Sequence, residues 1–177
     1  MINVFVDASL SKKRWGCAGV VIQPCIPISF SEVSFRYPLR SGLKSNQGEM
    51  LAIIHSAHAC RQVLKLIEYD PLNTFVTIRT DSVSCAKALT YPSRLRSKPF
   101  IALAKTARMA WDRLREDDCI AGWGCSHITR KNNPADRVSK IGRAYYLELY
   151  KWEIPNSPKT SGRSSFKGSA QKDQQHS

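Results

Sequence analysis

The chain has 177 residues, 42% of them hydrophobic, and carries 27 Lys and Arg against 14 Asp and Glu. This length is enough for one domain with a buried core and excludes two domains of ordinary size. A formal net charge of +13 favours a polyanion such as nucleic acid as the partner, although a basic surface or tail that serves only solubility would give the same composition.

The cysteines and the hydrophobic runs indicate the environment of the protein. The six cysteines form no CxxC pair, and most lie within apolar stretches, which predicts reduced thiols in or near the core. No apolar run is long enough to cross a membrane, and the opening MINVFVDAS lacks the features of a signal peptide. We therefore expect a soluble, intracellular protein without membrane contacts.

Three strands are predicted at the start of the chain. Residues 2–10 are β-branched and aromatic and bring Asp7 to the end of a buried strand. A second strand begins at Arg14 and ends at Pro24, and a third, from Ser29, alternates apolar and polar residues. Because the links between them are short, the three strands should form an antiparallel meander.

Helices and two further strands are predicted in the remainder. Polar residues from Ser45 to Gly48 precede apolar residues at helical spacing through about Ile67, which places Glu49 in the first turn of a core-facing helix. The next strand ends on Asp81. The later elements are a short helix over 82–91, a basic connector over 92–99, a long helix over 100–116, a strand over 119–128 and a last helix over 135–154. Residues 155–177 are rich in Ser, Lys, Gly and Gln, which predicts a disordered basic tail after a domain of residues 1–154.

The long predicted helix is amphipathic. One face carries the side chains most suited to a core, namely Phe100, Leu103, Ala107, Trp111 and Leu114. Trp15, Trp111 and Trp123 lie in this helix or in predicted strands, so we expect core packing rather than base stacking from them.

Four carboxylates stand at the ends of predicted elements: Asp7, Glu49, Asp81 and Asp136. In a mixed five-stranded sheet with the element order β-β-β-α-β-α-α-β-α, adjacent first and fourth strands and helices on both faces would bring them together. Clustered carboxylates repel one another unless a cation neutralises them, and oxygen ligands favour Mg²⁺ or Mn²⁺. Two such ions about 3.5–4 Å apart catalyse phosphodiester hydrolysis. Each acid alone would be an ordinary surface or capping residue.

Four segments carry a family resemblance. VFVDAS, SNQGEMLAI, the TDS of residues 80–82 and HITRKNNPADRVSK resemble, in order and spacing, the motifs of type 1-like ribonuclease H domains over roughly residues 2–150. The NNPADRVSK portion, with VFVDAS and RWG, is most similar to domains joined to reverse transcriptases in hepadnavirus-like and related retroelements.

The resemblance implies a ribonuclease H-like α/β fold and a two-metal active site. It makes Asp7, Glu49, Asp81 and Asp136 the ligands of two Mg²⁺ ions, with Mn²⁺ as a substitute, and gives His127 a part in proton transfer or product release. The interval from His127 to Asp136 is shorter than the family pattern, and that from Glu49 to Asp81 is longer.

Recognition of an RNA–DNA hybrid would rest on the 2′-hydroxyl of the RNA strand. The amides of Asn46 and Gln47 are suited to contact it, and helix capping is the alternative role for both. The other predicted nucleic-acid contacts are Ser9, Ser82, Asn133 and the basic residues Lys12, Lys13 and Arg14, which replace a loop that is usually glycine-rich in the family.

The leading hypothesis is an endonuclease that hydrolyses the RNA strand of such hybrids. A DNA structure-specific nuclease on the same fold is an alternative, against which the TDS and closing motifs argue. A catalytically silent nucleic-acid-binding module is another, although such a module has no need for four mutually repelling acids. We expect a monomer, and association with a polymerase or reverse transcriptase stays open.

Overall fold

The computed structural model describes residues 1–11, 15–25, 32–91 and 97–149, with side chains to 146. Within these ranges the helices and strands are β1 (Ile2–Ser9), β2 (Gly16–Pro24), β3 (Val33–Leu39), α1 (Ser45–Leu64), β4 (Phe75–Thr80), α2 (Val83–Thr90), α3 (Lys98–Glu116), β5 (Gly122–His127) and α4 (Ala135–Leu149). Short 3₁₀ turns at Pro71–Asn73 and Arg130–Asn132 precede β4 and α4. The predicted first residues of β3, the end of the last helix and the tail lie outside the described residues.

The five strands form one mixed sheet in the order β3-β2-β1-β4-β5. β1, β2 and β3 are antiparallel neighbours, whereas β4 is parallel to both β1 and β5. The predicted meander and the predicted pairing of the first and fourth strands are both confirmed. Because Val6 pairs with Thr80 in parallel register, Asp7 and Asp81 each follow directly at the same edge of the sheet.

Helices cover both faces of the sheet, as the sequence predicts. Alternate residues of β1, including Val4 and Val6, are fully buried in the main core together with α1 and α3. α4 packs on the opposite face, across β2, β1 and β3. β2 is therefore buried on both faces, which explains its nearly continuous apolar sequence.

The ends of α1 and α3 differ from the prediction. α1 begins at Ser45, before Gly48, and the Gln47 side chain accepts a hydrogen bond from the Lys44 backbone N–H (2.9 Å) at its start. α3 begins at Lys98 and not at Phe100, so Pro99 lies in its first turn. A proline is tolerated there because its missing N–H costs no hydrogen bond.

β5 begins later than the sequence predicts. Asp118 has a φ of 52°, and the Cys119 backbone N–H donates to the Leu114 carbonyl (2.9 Å). These residues close the C-terminal end of α3 and are used in a turn, so the strand starts only at Gly122.

The predicted core residues have mixed outcomes. On α3, Phe100, Ala107, Trp111 and Leu114 are buried, whereas Leu103 is only partly buried. The two predicted core tryptophans outside α3 differ from each other: Trp123 is half-buried, but Trp15 is 38% exposed because it lies at the margin of the sheet, just before β2.

All six cysteines are free thiols. Cys17, Cys60 and Cys85 are buried and two more are half-buried, but Cys25 is exposed because it lies beyond the end of β2. Among the described residues, no helix combines the length and the apolar character that a membrane span requires.

Candidate metal centre

Three acidic side chains meet at one edge of the sheet. Asp7 is near the end of β1, Asp81 directly follows β4, and Glu49 lies one turn into α1, which packs against β1. One carboxylate oxygen from each of the three lies within 4.8 Å of the others. The structure thus brings together three of the four acids that the sequence singles out, and we call them the three-acid cluster.

Burial makes negative charge in the three-acid cluster costly. Asp7 is 5% exposed and Glu49 is 7% exposed. Burial, together with repulsion from Asp7 and Asp81, raises the pKa of Glu49 to about 9. Burial also raises the pKa of Asp7, with further repulsion from Asp81 and Asp136, although a hydrogen bond from Ser139 opposes the change. Ionised carboxylates at these positions need a compensating cation.

One carboxyl oxygen of Glu49 indicates where such a cation would bind. Oε2 is buried and has no hydrogen-bond partner among the described residues. A buried polar atom without a partner is rare and needs an explanation such as an ion. The cluster offers only oxygen ligands, which suit a hard divalent cation such as Mg²⁺ or Mn²⁺. The donor set therefore fits the metal that the sequence predicts.

Ser139 is a site residue that sequence reasoning missed. It is fully buried on α4, and its hydroxyl donates to Oδ2 of Asp7. The same hydroxyl lies 3.0 Å from the backbone carbonyl of Asp136. Its position three residues after Asp136 on a helix was the available signal, because residues at this spacing share a helix face.

Asp136, the fourth predicted acid, is not part of the three-acid cluster. It lies in the first turn of α4, where its charge suits the helix dipole. Its Oδ1 accepts from Nε of Arg130 (2.9 Å) and its Oδ2 from Nζ of Lys140 (2.6 Å). Partial burial opposes ionisation of this carboxyl, but the two hydrogen bonds outweigh it and lower its pKa. The charge of Asp136 still acts on Asp7.

His127 and Asn133 lie on either side of the turn that leads into α4. His127 is exposed at the end of β5, in register with Thr80, the residue before Asp81. Asn133 is 4% exposed; its amide NH₂ donates to the Val6 carbonyl (2.9 Å), and its amide oxygen accepts from the Ala135 backbone N–H (3.2 Å). The side chain of Asn133 thus ties the start of α4 to β1, and its contact with nucleic acid stays a prediction.

The other predicted contacts have local roles of their own. Ser9 is buried at the end of β1. Ser82 precedes α2 and accepts from the Cys85 backbone N–H (3.3 Å), and Gln47 closes the start of α1, so the capping alternative holds for Gln47. Asn46 is half-buried on the first turn of α1, close to Glu49 in the chain. Lys12, Lys13 and Arg14 lie outside the described residues.

Comparison with known proteins places the fold. No family profile and no curated protein matches the sequence. RNase H1 from the halophilic archaeon Halobacterium salinarum is similar in structure, with a TM-score of 0.62 at 16% identity over 84% of this chain and 98% of that one. LC11-RNase H1 in complex with an RNA/DNA hybrid gives 0.60 at 15% identity, over 83% and 99% of the two chains.

A viral structure matches more weakly. The foamy viral protease-reverse transcriptase in complex with an RNA/DNA hybrid has a TM-score of 0.52 at 17% identity, over 81% of this chain and 20% of that one. At these identities the likeness concerns the fold alone, and the chain has the ribonuclease H-like fold that its motifs predict. The closer resemblance to hepadnavirus-like domains stays a prediction.

Proposed function

We propose that this chain is a metal-dependent endonuclease that hydrolyses the RNA strand of RNA–DNA hybrids. The observation that carries the proposal is the three-acid cluster, in which Asp7, Glu49 and Asp81 converge with a buried Glu49 oxygen that has no partner among the described residues. The ribonuclease H-like fold supports it, as does a similar structure determined with an RNA/DNA hybrid.

The three-acid cluster would hold one divalent ion, and Asp136 together with Asp7 would complete the ligands of a second. When bound, a pair of such ions supplies an activated water and neutralises the negative charge on the leaving oxygen. Ser139 holds Asp7 in place by donating to one of its oxygens, so the other oxygen stays available to a metal.

The substrate would be held by groups around the cluster. Hydrolysis adds one water across a P–O bond, and the exposed His127 would accept or return a proton during this step. The side-chain amide of Asn46, a half-buried residue, is the candidate for contact with the 2′-hydroxyl, and Ser82 and Ser9 are the candidates for contact with phosphate oxygens. The net charge of +13 would provide attraction for phosphates independent of sequence. The roles of Lys12, Lys13 and Arg14, the monomeric state and association with a polymerase stay predictions.

A panel of labelled substrates in Mg²⁺ tests the proposal. We expect the full chain to cut the RNA strand of a hybrid and to leave the DNA strand, double-stranded RNA and a branched DNA junction intact. Cleavage of the junction in preference to the hybrid would favour a DNA nuclease instead. Binding of the hybrid without cleavage, under every metal condition tried, would favour a silent binding module.

A further inference from the structure

The fourth acid is held by two cations that differ in their surroundings. Arg130 and Lys140 each bind one oxygen of Asp136, so neither oxygen is without a partner. Lys140 lies one turn further along α4, and its charge acts on Asp136. The charge of Arg130 acts on Asp136 and also on Asp7 and Glu49 of the three-acid cluster. Of the two cations bound to Asp136, Arg130 is thus the one whose positive charge also lowers the pKa of Asp7 and Glu49.

The position of Arg130 follows from the short closing loop. β5 ends at His127, and the 3₁₀ turn Arg130–Asn132 reverses the chain before α4 begins. Asn133 fixes that turn against β1 through its bond to the Val6 carbonyl. The turn thus sets Arg130 beside the start of α4, between solvent and Asp136. The Arg130 side chain is 69% exposed, whereas the Asp136 side chain is 19% exposed.

These contacts create a competition for Asp136. A divalent ion that uses Oδ1 of Asp136 shares this oxygen with the Nε–H of Arg130 or displaces it, and a guanidinium that stays nearby repels the ion. Exposed ion pairs contribute little to stability, so displacement by a divalent cation is feasible but not free. We propose that Arg130 is a positioning residue that opposes occupancy of the Asp136 side of the centre and thereby sets the metal concentration at which the second ion binds. This inference rests on the proposed two-metal site.

Metal binding measured without substrate tests this role. Mn²⁺ is titrated calorimetrically into the full chain, its Arg130→Gln variant and a matched control, Lys131→Gln. Lys131 is exposed in the same 3₁₀ turn and loses the same charge, but it is not one of the cations paired with Asp136. We expect Arg130→Gln to tighten the weaker of two binding constants roughly three- to fivefold, the equivalent of one exposed ion pair. Lys131→Gln should leave that constant within about twofold of the starting protein.

The outcomes separate the two proposals. If Arg130→Gln leaves the weaker constant no tighter than Lys131→Gln does, or loosens it, the role assigned to Arg130 is wrong while the metal centre stands. If the starting protein binds no Mn²⁺, both the metal centre and the role of Arg130 fall. Thermal unfolding in EDTA checks that both variants fold, and Arg130→Lys, which keeps the charge, should lie between the starting protein and Arg130→Gln.

Discussion

At the scale of single residues, Glu49 stands out among the residues that the structure describes. Glu49 is 7% exposed, lies beside two other acids and has one carboxyl oxygen without a partner among the described residues. This arrangement is unfavourable for a protein that is stabilised by its own contacts alone. Residues that reduce stability in this way are typical of functional sites. Glu49 therefore links the stability of the fold to the chemistry of the site.

The raised pKa of Glu49 predicts a dependence of stability on pH. The folded protein keeps this proton up to a pKa of about 9, whereas the unfolded chain loses it near the ordinary glutamate pKa of 4.5. Stabilisation from this group is thus complete below pH 4.5 and is lost as the pH rises towards 9. Glu49→Gln, which cannot ionise, should raise the free energy of unfolding at pH 7 by on the order of 3 kcal/mol in EDTA.

Urea denaturation of the full chain at several pH values measures this effect. Glu68→Gln, at an exposed position on the segment after α1, is the control and should change neither the stability nor its pH dependence. A Glu49→Gln variant that is less stable than the starting protein above neutral pH would show that the charge of Glu49 is already compensated within the chain.

The hydroxyl of Ser139 should help Asp7 to bind a metal, because it donates a hydrogen bond to that carboxylate. Ser139→Ala removes the only donor from α4 to Asp7 among the described hydrogen bonds, so burial should raise the pKa of Asp7 further and weaken its affinity for a metal. Loss of a partner that orients a metal ligand typically costs about 10–100-fold in affinity or activity. We expect a loss of about tenfold or more in the rate of hybrid cleavage at limiting Mg²⁺.

Ser56→Ala is the matched control for this variant. Ser56 is equally buried but donates within α1 to the Ile53 carbonyl (2.7 Å), so its removal should leave cleavage unchanged. Equal effects of the two substitutions would mean that Ser139 acts only through the stability of the fold.

The sequence predicted the acids of the site better than their partners. Asp7, Glu49 and Asp81 were predictable because each stands where an apolar strand ends or a helix starts, and these boundaries are visible as changes in hydrophobic pattern. The spacing of Lys140 four residues after Asp136 also indicates a pair on one helix face. The contact of Arg130 with Asp136 was not predictable, since it depends on how a short turn folds.

At the scale of elements, the placement of α4 on the sheet decides whether Ser139 reaches Asp7 and where the charge of Asp136 lies. Gly19 of β2 pairs with Asp7 and lies under the start of α4. A Cβ atom at Gly19 would lie 2.6 Å from the Ser139 backbone nitrogen and 2.7 Å from the Ala135 carbonyl oxygen. Only glycine permits this approach of helix and strand.

Gly19→Ala should therefore displace α4. Overpacking of this kind costs about 1–3 kcal/mol, and we expect the loss of stability together with a loss of cleavage greater than about tenfold. Gly124→Ala on β5 is the control, because its Cβ would lie at an ordinary 3.7 Å from the Phe75 ring. Chemical denaturation and cleavage assays on both variants measure the difference. Full activity in Gly19→Ala would show that the close packing of α4 has no part in the site.

The order and pairing of the elements could be predicted, but their exact boundaries could not. The periodicity of apolar residues in β1 and α1 indicates which faces of these elements are buried. The short links between the first three strands require an antiparallel meander. Whether a polar residue near an end belongs to a helix or to a turn depends on caps and tertiary contacts, as at Lys98 and Cys119. Close approaches of a helix to a strand, such as that at Gly19, likewise cannot be predicted from a single sequence.

At the scale of the whole molecule, net charge governs the interaction with a polyanion. The formal charge of +13 predicts that binding of a hybrid by the Asp81→Asn variant weakens steeply with salt. We expect at least a tenfold loss of affinity between about 50 and 200 mM NaCl, measured by fluorescence anisotropy in Ca²⁺. Affinity that does not change over this range would mean that the excess charge serves solubility and not the substrate.

The most direct test of the central claim is the cleavage of one RNA-labelled hybrid by three forms of the full chain across a Mg²⁺ titration. The starting protein and Asp118→Asn, an exposed substitution in the turn after α3, should cut the RNA strand in a Mg²⁺-dependent manner. Asp81→Asn should lose at least about a thousandfold in rate while it still folds and binds the hybrid. Equal cleavage by Asp81→Asn and Asp118→Asn would contradict the claim that Asp7, Glu49 and Asp81 form the catalytic metal centre.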